Sequence, residues 1–294
     1  MAADIFTSFP RTREERWAYL RAGVDLIMSG SQISYSRYQS LYTQAYNYCT
    51  SPDTDPTTEK TESTDPQADL YSKLAEYFAA DYFEASRKQA EELHDEDLLR
   101  YYSSRWSSYD TGANYLNRLF TFLNRHWVKR QRAEGRKDVY PVYTLVLWSW
   151  REHFLLSLQQ HDRKLTRALI QLAERHREGG TIDTNLINNT LSSLASLGIN
   201  TENVQSLSLD TYKEHFETVF LETSEERYRK ASELLRAEND EYFQAAEVRV
   251  QKEKDCISTA GEYLRPETQE ELRRRCENVL IGVSAGDLGI EVTQ

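Results

Sequence analysis

Apolar residues recur at helical spacing along almost the whole chain, and no segment alternates with the period of two expected of a half-buried strand. Thr12 and Glu15 stand three apart, as in a capping box, ahead of Trp17, Leu20, Val24 and Ile27, and Gly30 is placed to stop that helix. The pattern predicts a second helix over 34–49 and a third over 70–92, with Leu74, Tyr77, Phe78 and Tyr82 on its apolar face. A fourth holds Leu98, Leu99, Tyr102 and Trp106, and a fifth over 111–132 carries Leu116, Leu119, Phe120, Leu123 and Trp127. Asp138 is expected to cap a sixth, with Pro141 in its first turn and Leu145, Trp148 and Phe154 following.

The same grammar continues beyond His161. Leu165, Leu169 and Leu172 mark a helix ended by Gly179-Gly180, and Leu186, Ile187, Leu191 and Leu194 mark another stopped by Gly198. Tyr212, Phe216 and Phe220 form a third. A long one over 224–263 is expected to break near Asn239-Asp240, and Pro266 opens a last helix through Leu272, Cys276 and Leu280. Two successive helical units of this kind suit an α-solenoid.

One stretch departs from the pattern. Ser51–Asp69 carries six acidic residues against one Lys, three Pro, and nothing apolar larger than Ala. It cannot bury enough apolar area to offset the entropy of ordering it, so a long solvated loop is expected there.

The helix at 34–49 holds the densest aromatic pattern. Tyr38, Leu41, Tyr42, Ala45, Tyr46 and Cys49 follow at i, i+3, i+4, i+7, i+8 and i+11, one continuous stripe, with Tyr35 and Tyr48 off it. Spacing alone fits a buried face. Tyrosine also suits interfaces, because its ring is apolar and its hydroxyl tolerates water.

Composition agrees with a helical protein: 11 Gly and 6 Pro in 294 residues leave little turn chemistry, and 12% aromatic content is far from that of a disordered chain. The net charge of −11 disfavours whole-chain attraction to nucleic acid or an anionic membrane. No apolar run approaches the roughly 20 residues that span a bilayer, and the amino terminus lacks a secretory signal pattern. Three cysteines without metal-type spacing suit reduced thiols in the cytoplasm or nucleus.

Catalytic chemistry finds no motif. GxGxxG, GxxxxGK[ST], HExxH and CxxC are all missing from the sequence; His153 and His215 each follow a Glu but lack a second His one turn away. No catalytic residue, cofactor or metal is expected. The cluster Arg125, His126, Lys129, Arg130, Arg132, Arg136 and Lys137, interleaved with Trp127, offers a nucleic-acid alternative or a generic protein contact, against a plain helix end favouring its carboxyl-terminal dipole.

Several stretches resemble the amino-terminal region of cullins, above all the cullin of SCF-type ubiquitin ligases. They are SRYQSLYTQAYNYCT at 36–50, YLNRLFTFLNRHWVKR at 115–130, TYKEHFETVFLETSEERY at 211–228, EYFQAAEVRVQKEKDCIS at 241–258 and ELRRRCENVLI at 271–281. The resemblance implies an all-α fold, a right-handed stack of five-helix cullin repeats forming an α-solenoid-like arm. The first repeat would span 12–158 and the second 159–281, with a divergent tail at 282–294. It further implies a non-catalytic scaffold whose first repeat binds a Skp-type adaptor with its F-box protein. The contacts carried over are Tyr38, Leu41, Tyr42, Ala45 and Tyr46, joined by Tyr115, Arg118 and Phe122 on the face opposite Leu116, Leu119 and Leu123. Cullins continue into a carboxyl-terminal domain that recruits the RING subunit. A chain ending at 294 would therefore hold adaptor without a RING subunit and without supporting ubiquitin transfer. Neither nucleic acid nor membrane is an expected partner.

Overall fold

The computed structural model describes residues 6, 10–51, 65–160, 162–200, 208–238 and 242–282. Every regular element among them is helical. The helices are α1 (Arg13–Met28), α2 (Tyr35–Thr50), α3 (66–81), α4 (Glu84–Glu92), α5 (Asp95–Leu119), α6 (121–133), α7 (142–160), α8 (Lys164–Arg177), α9 (Thr184–Ser196), α10 (210–238), α11 (Tyr242–Thr259) and α12 (266–282).

Local chemistry explains the ends. The Thr12 hydroxyl accepts from Glu15 N at 3.2 Å while the Glu15 carboxylate reaches back to Thr12 N, a complete capping box. At the other end Ser31 N donates to Leu26 O and Gly30 N to Ile27 O, and Gly30 takes φ +73°, which only glycine adopts at low cost. Gly179, at φ +86°, closes α8 in the same way.

Several boundaries differ from the sequence expectation. The helices expected at 98–106 and 111–132 begin as one: α5 runs unbroken past Gly112, and the chain bends only at Phe120 (φ −95°, ψ 27°). Gly112 is a site of close approach and not a stop, because a Cβ there would lie 2.7 Å from Met28 Sδ. The segments expected at 212–220 and from 224 likewise join into α10. Asp138 caps nothing; its carboxylate takes Arg136 Nη2 at 2.7 Å, and Pro141 occupies the cap of α7. Helix α3 already starts at Pro66, with Asp65 as its cap, so the last residues of the expected acidic loop are helical. Residues 52–64, Asn239-Asp240 and 283–294 lie outside the described residues. Helices α3, α6, α7, α10 and α12 each contain a π turn, at Tyr77–Asp81, Asn124–Val128, Arg151–Leu155, Lys213–Glu217 and Asn278–Gly282. Such a turn inserts one extra residue and rotates the downstream face, a shift that periodicity does not reveal.

The chain forms two compact units. The first takes in Met1–Glu92, Tyr101–Gln160 and Ile199–Leu207, the second Leu93–Arg100, His161–Gly198 and Ser208–Gln294. Helix α5 thus gives its opening residues to the second unit and the rest to the first.

The first unit has an aromatic core around Trp150, whose ring lies 4.6 Å from Phe154 and 4.7 Å from Tyr109, with Phe83 at 5.8 Å. Burial of the polar tips is compensated: Trp150 Nε1 donates to Tyr102 Oη at 3.1 Å, and Tyr109 Oη donates to Val146 O at 2.7 Å. In the second unit Leu169, Ile187, Phe216, Phe220, Tyr228 and Leu272 are buried. Arg175 pairs with Glu96 at 2.6 Å and so ties the start of α5 to α8. A buried carboxylate, Glu253, sits between Arg249 at 3.0 Å and Arg177 at 3.8 Å.

Candidate functional site: an aromatic face of the first unit

Helix α2 starts where Ser34 Oγ accepts from Arg37 N, and it packs against α1 and α3. Its inward face is Leu41, Gln44, Ala45, Tyr48 and Cys49. Leu41 is 0% exposed, and its methyl groups fill the space that a Cβ at Gly23 would occupy, 2.2 Å away. Ala45 is buried as well. These two residues, expected at the adaptor surface, belong to the core; the stripe drawn from spacing is cut along its length.

Tyr48 lies inside, off the expected stripe. Its hydroxyl donates to the Asp69 carboxylate and accepts from Lys73 Nζ at 3.1 Å, which makes complete burial of the ring affordable. Desolvation first, and then the Asp69 hydrogen bond, push the phenol well above its ordinary range, so it stays neutral. Burial alone does most of the same for the Cys49 thiol, pushed up to about 12.

The outward face is Tyr38, Tyr42 and Tyr46, preceded by Tyr35, which is fully outside and takes Gln39 Nε2 at 2.9 Å. Tyr42 is 41% and Tyr46 45% exposed. Opposite them runs the junction of α5 and α6. Leu116, Leu119 and Leu123 are buried, Tyr115 is 50% exposed, Arg118 is exposed and Phe122 is half-buried. Asn124 holds the bend. Its Nδ2 donates to Asn117 Oδ1 at 2.9 Å, and its Oδ1 accepts from Val142 N at 2.9 Å.

Tertiary packing brings the two aromatic series together. Tyr38 and Tyr115 meet edge to face at 6.4 Å, and Tyr38 Oη donates to Tyr115 O at 3.3 Å. Tyr46 and Phe122 meet edge to face at 5.0 Å, and Phe122 lies 4.3 Å from the His126 ring. Burial raises the Tyr38 phenol, with Arg118 nearby pulling it back down. Beside these rings an open groove of about 810 Å³ is lined by Ile33, Tyr35, Tyr38, Thr111, Tyr115 and Arg118, among others. Tyr35, which spacing places off the stripe, is therefore part of the face, at the start of α2.

The basic cluster does not form one open patch. Arg130 pairs with Asp65 at 2.8 Å, Arg132 Nη1 donates to Val139 O at 2.9 Å, and Arg136 pairs with Asp138 and with Gln131. Those arginines close the turn after α6. Arg125, His126 and Lys129 remain on the exposed side, next to Phe122.

Among the described residues, no cluster of three or more His, Cys, Asp or Glu side chains could hold a metal ion, and no helix is long and apolar enough to cross a membrane. His153 lies edge-on to Trp148 at 5.8 Å, and burial lowers its pKa. His215 is buried in the second unit.

The family model for the cullin alpha solenoid domain matches residues 17–291. Cullin-1 of Dictyostelium discoideum is 30% identical over 293 residues, which is 95% of this chain and 37% of that protein. Cullin-1 of Caenorhabditis elegans is 30% identical over 288 residues, 90% of this chain and 36% of its own length. Cell division control protein 53 of Saccharomyces cerevisiae is 28% identical over 233 residues, 73% and 28% of the two chains. The chain thus spans between 28% and 37% of the length of these relatives. The all-helical fold and the family match over nearly all of the sequence lead to one conclusion: the chain belongs to the cullin family.

Proposed function

We propose that this chain is a scaffold arm of an SCF-type ubiquitin ligase, and that its first unit holds a Skp-type adaptor together with an F-box protein on the face made by α2 and the α5–α6 junction. The chain performs no chemistry of its own in this reading. In the same reading it works in the cytoplasm and nucleus, where its cysteines, none of them in a disulfide, would stay reduced.

One observation carries the proposal. Among the described residues the exposed large hydrophobics are Tyr35, Tyr42, Tyr46, Tyr115, Leu234 and Val248; four of the six are tyrosines gathered on this face. Rings left in water without a covering element cost free energy that a partner recovers, and tyrosines are over-represented where affinity concentrates. The docking set is therefore revised to Tyr35, Tyr38, Tyr42, Tyr46, Tyr115, Arg118 and Phe122, with Leu41 and Ala45 acting from beneath as the support of α2.

Titration of the chain against a purified Skp-type adaptor–F-box complex tests the reading. Tyr42→Ala and Tyr46→Ala are each expected to weaken binding by about tenfold or more, the size of a truncated interface tyrosine. No binding by the unaltered chain would remove the function, and unchanged affinity in both variants would remove the site.

A further inference from the structure

The docking face is assembled from the two parts of the sequence that carry no negative charge. Asp and Glu make up 47 of the 294 residues, roughly one in six. Residues 26–52, between Asp25 and Asp53, contain neither, and residues 111–133, between Asp110 and Glu134, contain neither. These are the two longest acid-free stretches in the chain, and Tyr38–Tyr115 and Tyr46–Phe122 are among the contacts that join them. The second stretch also supplies cations on its outer side: Arg118, Arg125 and Lys129 are exposed and have no ion pair among the described residues. All three lie on the outer side of the α5–α6 junction, whose outward rings are Tyr115 and Phe122; the Phe122 ring packs on His126, the neighbour of Arg125.

Three carboxylates of the first unit that border the two stretches in sequence or pack on them are already engaged. Asp65 takes Arg130, Asp69 takes Tyr48 and Lys73, and Asp110 takes the Tyr143 hydroxyl at 2.8 Å. In a protein of net charge −11 the face is therefore a local positive island with an apolar centre.

We infer that Arg118, Arg125 and Lys129 form an electrostatic rim for carboxylates on the protein partner, so that the occupant of this face is an acidic segment with apolar anchors. The inference rests on the docking reading above and adds what that reading leaves open, the charge of the partner and the way it is found. Rim charges act mainly on association: complementary potentials steer encounter and are screened by salt, whereas buried rings govern dissociation. A nucleic acid is the weaker fit, because the neighbouring Arg130, Arg132 and Arg136 are committed to local partners and three cations neutralise few phosphates.

The experiment compares association and dissociation rates of the adaptor–F-box complex on immobilised chain at 50 mM and 500 mM salt. It uses the unaltered chain, the triple variant Arg118→Gln, Arg125→Gln, Lys129→Gln, its counterpart with Glu at all three positions, and Tyr42→Ala. These side chains lie on the surface, and far-ultraviolet circular dichroism checks each fold. The association rate of the unaltered chain is expected to fall about tenfold across the salt range, and that of the Glu variant by about ten- to a hundredfold at low salt. The Gln variant should lose most of the salt dependence. Tyr42→Ala should chiefly raise the dissociation rate. If Tyr42→Ala weakens binding while both charge variants associate normally, the rim is refuted and the docking face stands. If none of the variants changes binding, the face itself is wrong. Association that quickens with salt would overturn the proposal by assigning the cations to the chain's own acidic stretch at 52–64. Displacement of the adaptor complex by a single-stranded RNA oligonucleotide would overturn it in favour of nucleic acid.

Discussion

Tyr42 and Tyr48 sit six residues apart on one helix with the same side chain and opposite fates, and the difference is hydrogen bonding. Tyr48 finds Asp69 and Lys73 inside the first unit, whereas Tyr42 is left facing water. Removing the buried hydroxyl should therefore cost more than removing an exposed one. Tyr48→Phe is expected to lower stability by about 1–2 kcal/mol in urea denaturation, because Asp69 and Lys73 lose a shared partner, with adaptor affinity nearly unchanged. The cysteines follow burial too. Desolvation pushes the thiols of Cys49 and Cys276 up to about 12, while Cys256 is only half-buried. Since the thiolate is the reactive form, native alkylation with iodoacetamide at pH 8, read by mass spectrometry, should spare Cys49 and Cys276 until the protein is unfolded.

Helices meet where small residues let them. The sulfur of Met28 rests against Gly112, and a Cβ placed there would also come within 3.4 Å of the Met28 Cα. Gly112→Ala should therefore displace the buried Met28 side chain and destabilise by about 1 kcal/mol in urea denaturation, although alanine is the better helix former. On α12, Glu271 accepts from Arg274 and Arg275 at 2.8 Å, and these hydrogen bonds hold its carboxyl down at about 2, below the ordinary 4.5. A depressed carboxyl stabilises the fold above its unfolded pKa and loses that contribution as pH falls towards its folded one. Glu271→Gln should thus lower the melting temperature slightly at pH 7, and the gap to the unaltered chain should close between about pH 4.5 and 2. The effect is small because the pair is largely solvated.

The whole molecule separates tasks between its units: every residue of the proposed docking set belongs to the first, and the buried charge cluster belongs to the second. Glu253→Ala strands the Arg177 guanidinium, already out of water between Phe220 and Tyr228, without its counter-charge. A loss of about 3–5 kcal/mol is expected for such a change. Calorimetry should record it in the second unit's unfolding, while adaptor titration at a temperature where the protein stays folded should give an unchanged Kd. A parallel loss of adaptor binding would show that the site draws on both units.

What the sequence determined by itself is the class and the raw material. Helical periodicity, the Thr12 capping box and the Gly30 and Gly179 stops are local, each set by chemistry within a turn or two, and they recur in the structure where the pattern places them. The cullin resemblance was legible for the same reason, since it resides in contiguous stretches such as 36–50 and 115–130. What only the tertiary structure decided is which side of each aromatic helix faces in. Tyrosine is apolar enough to bury and polar enough to expose, so periodicity could not separate Leu41 and Ala45 from Tyr42 and Tyr46. That choice was made by Gly23 beneath Leu41, by Asp69 and Lys73 around Tyr48, and by the Phe120 bend that brings Phe122 against Tyr46. Each depends on residues distant in sequence, and distance in sequence is what a local pattern cannot see.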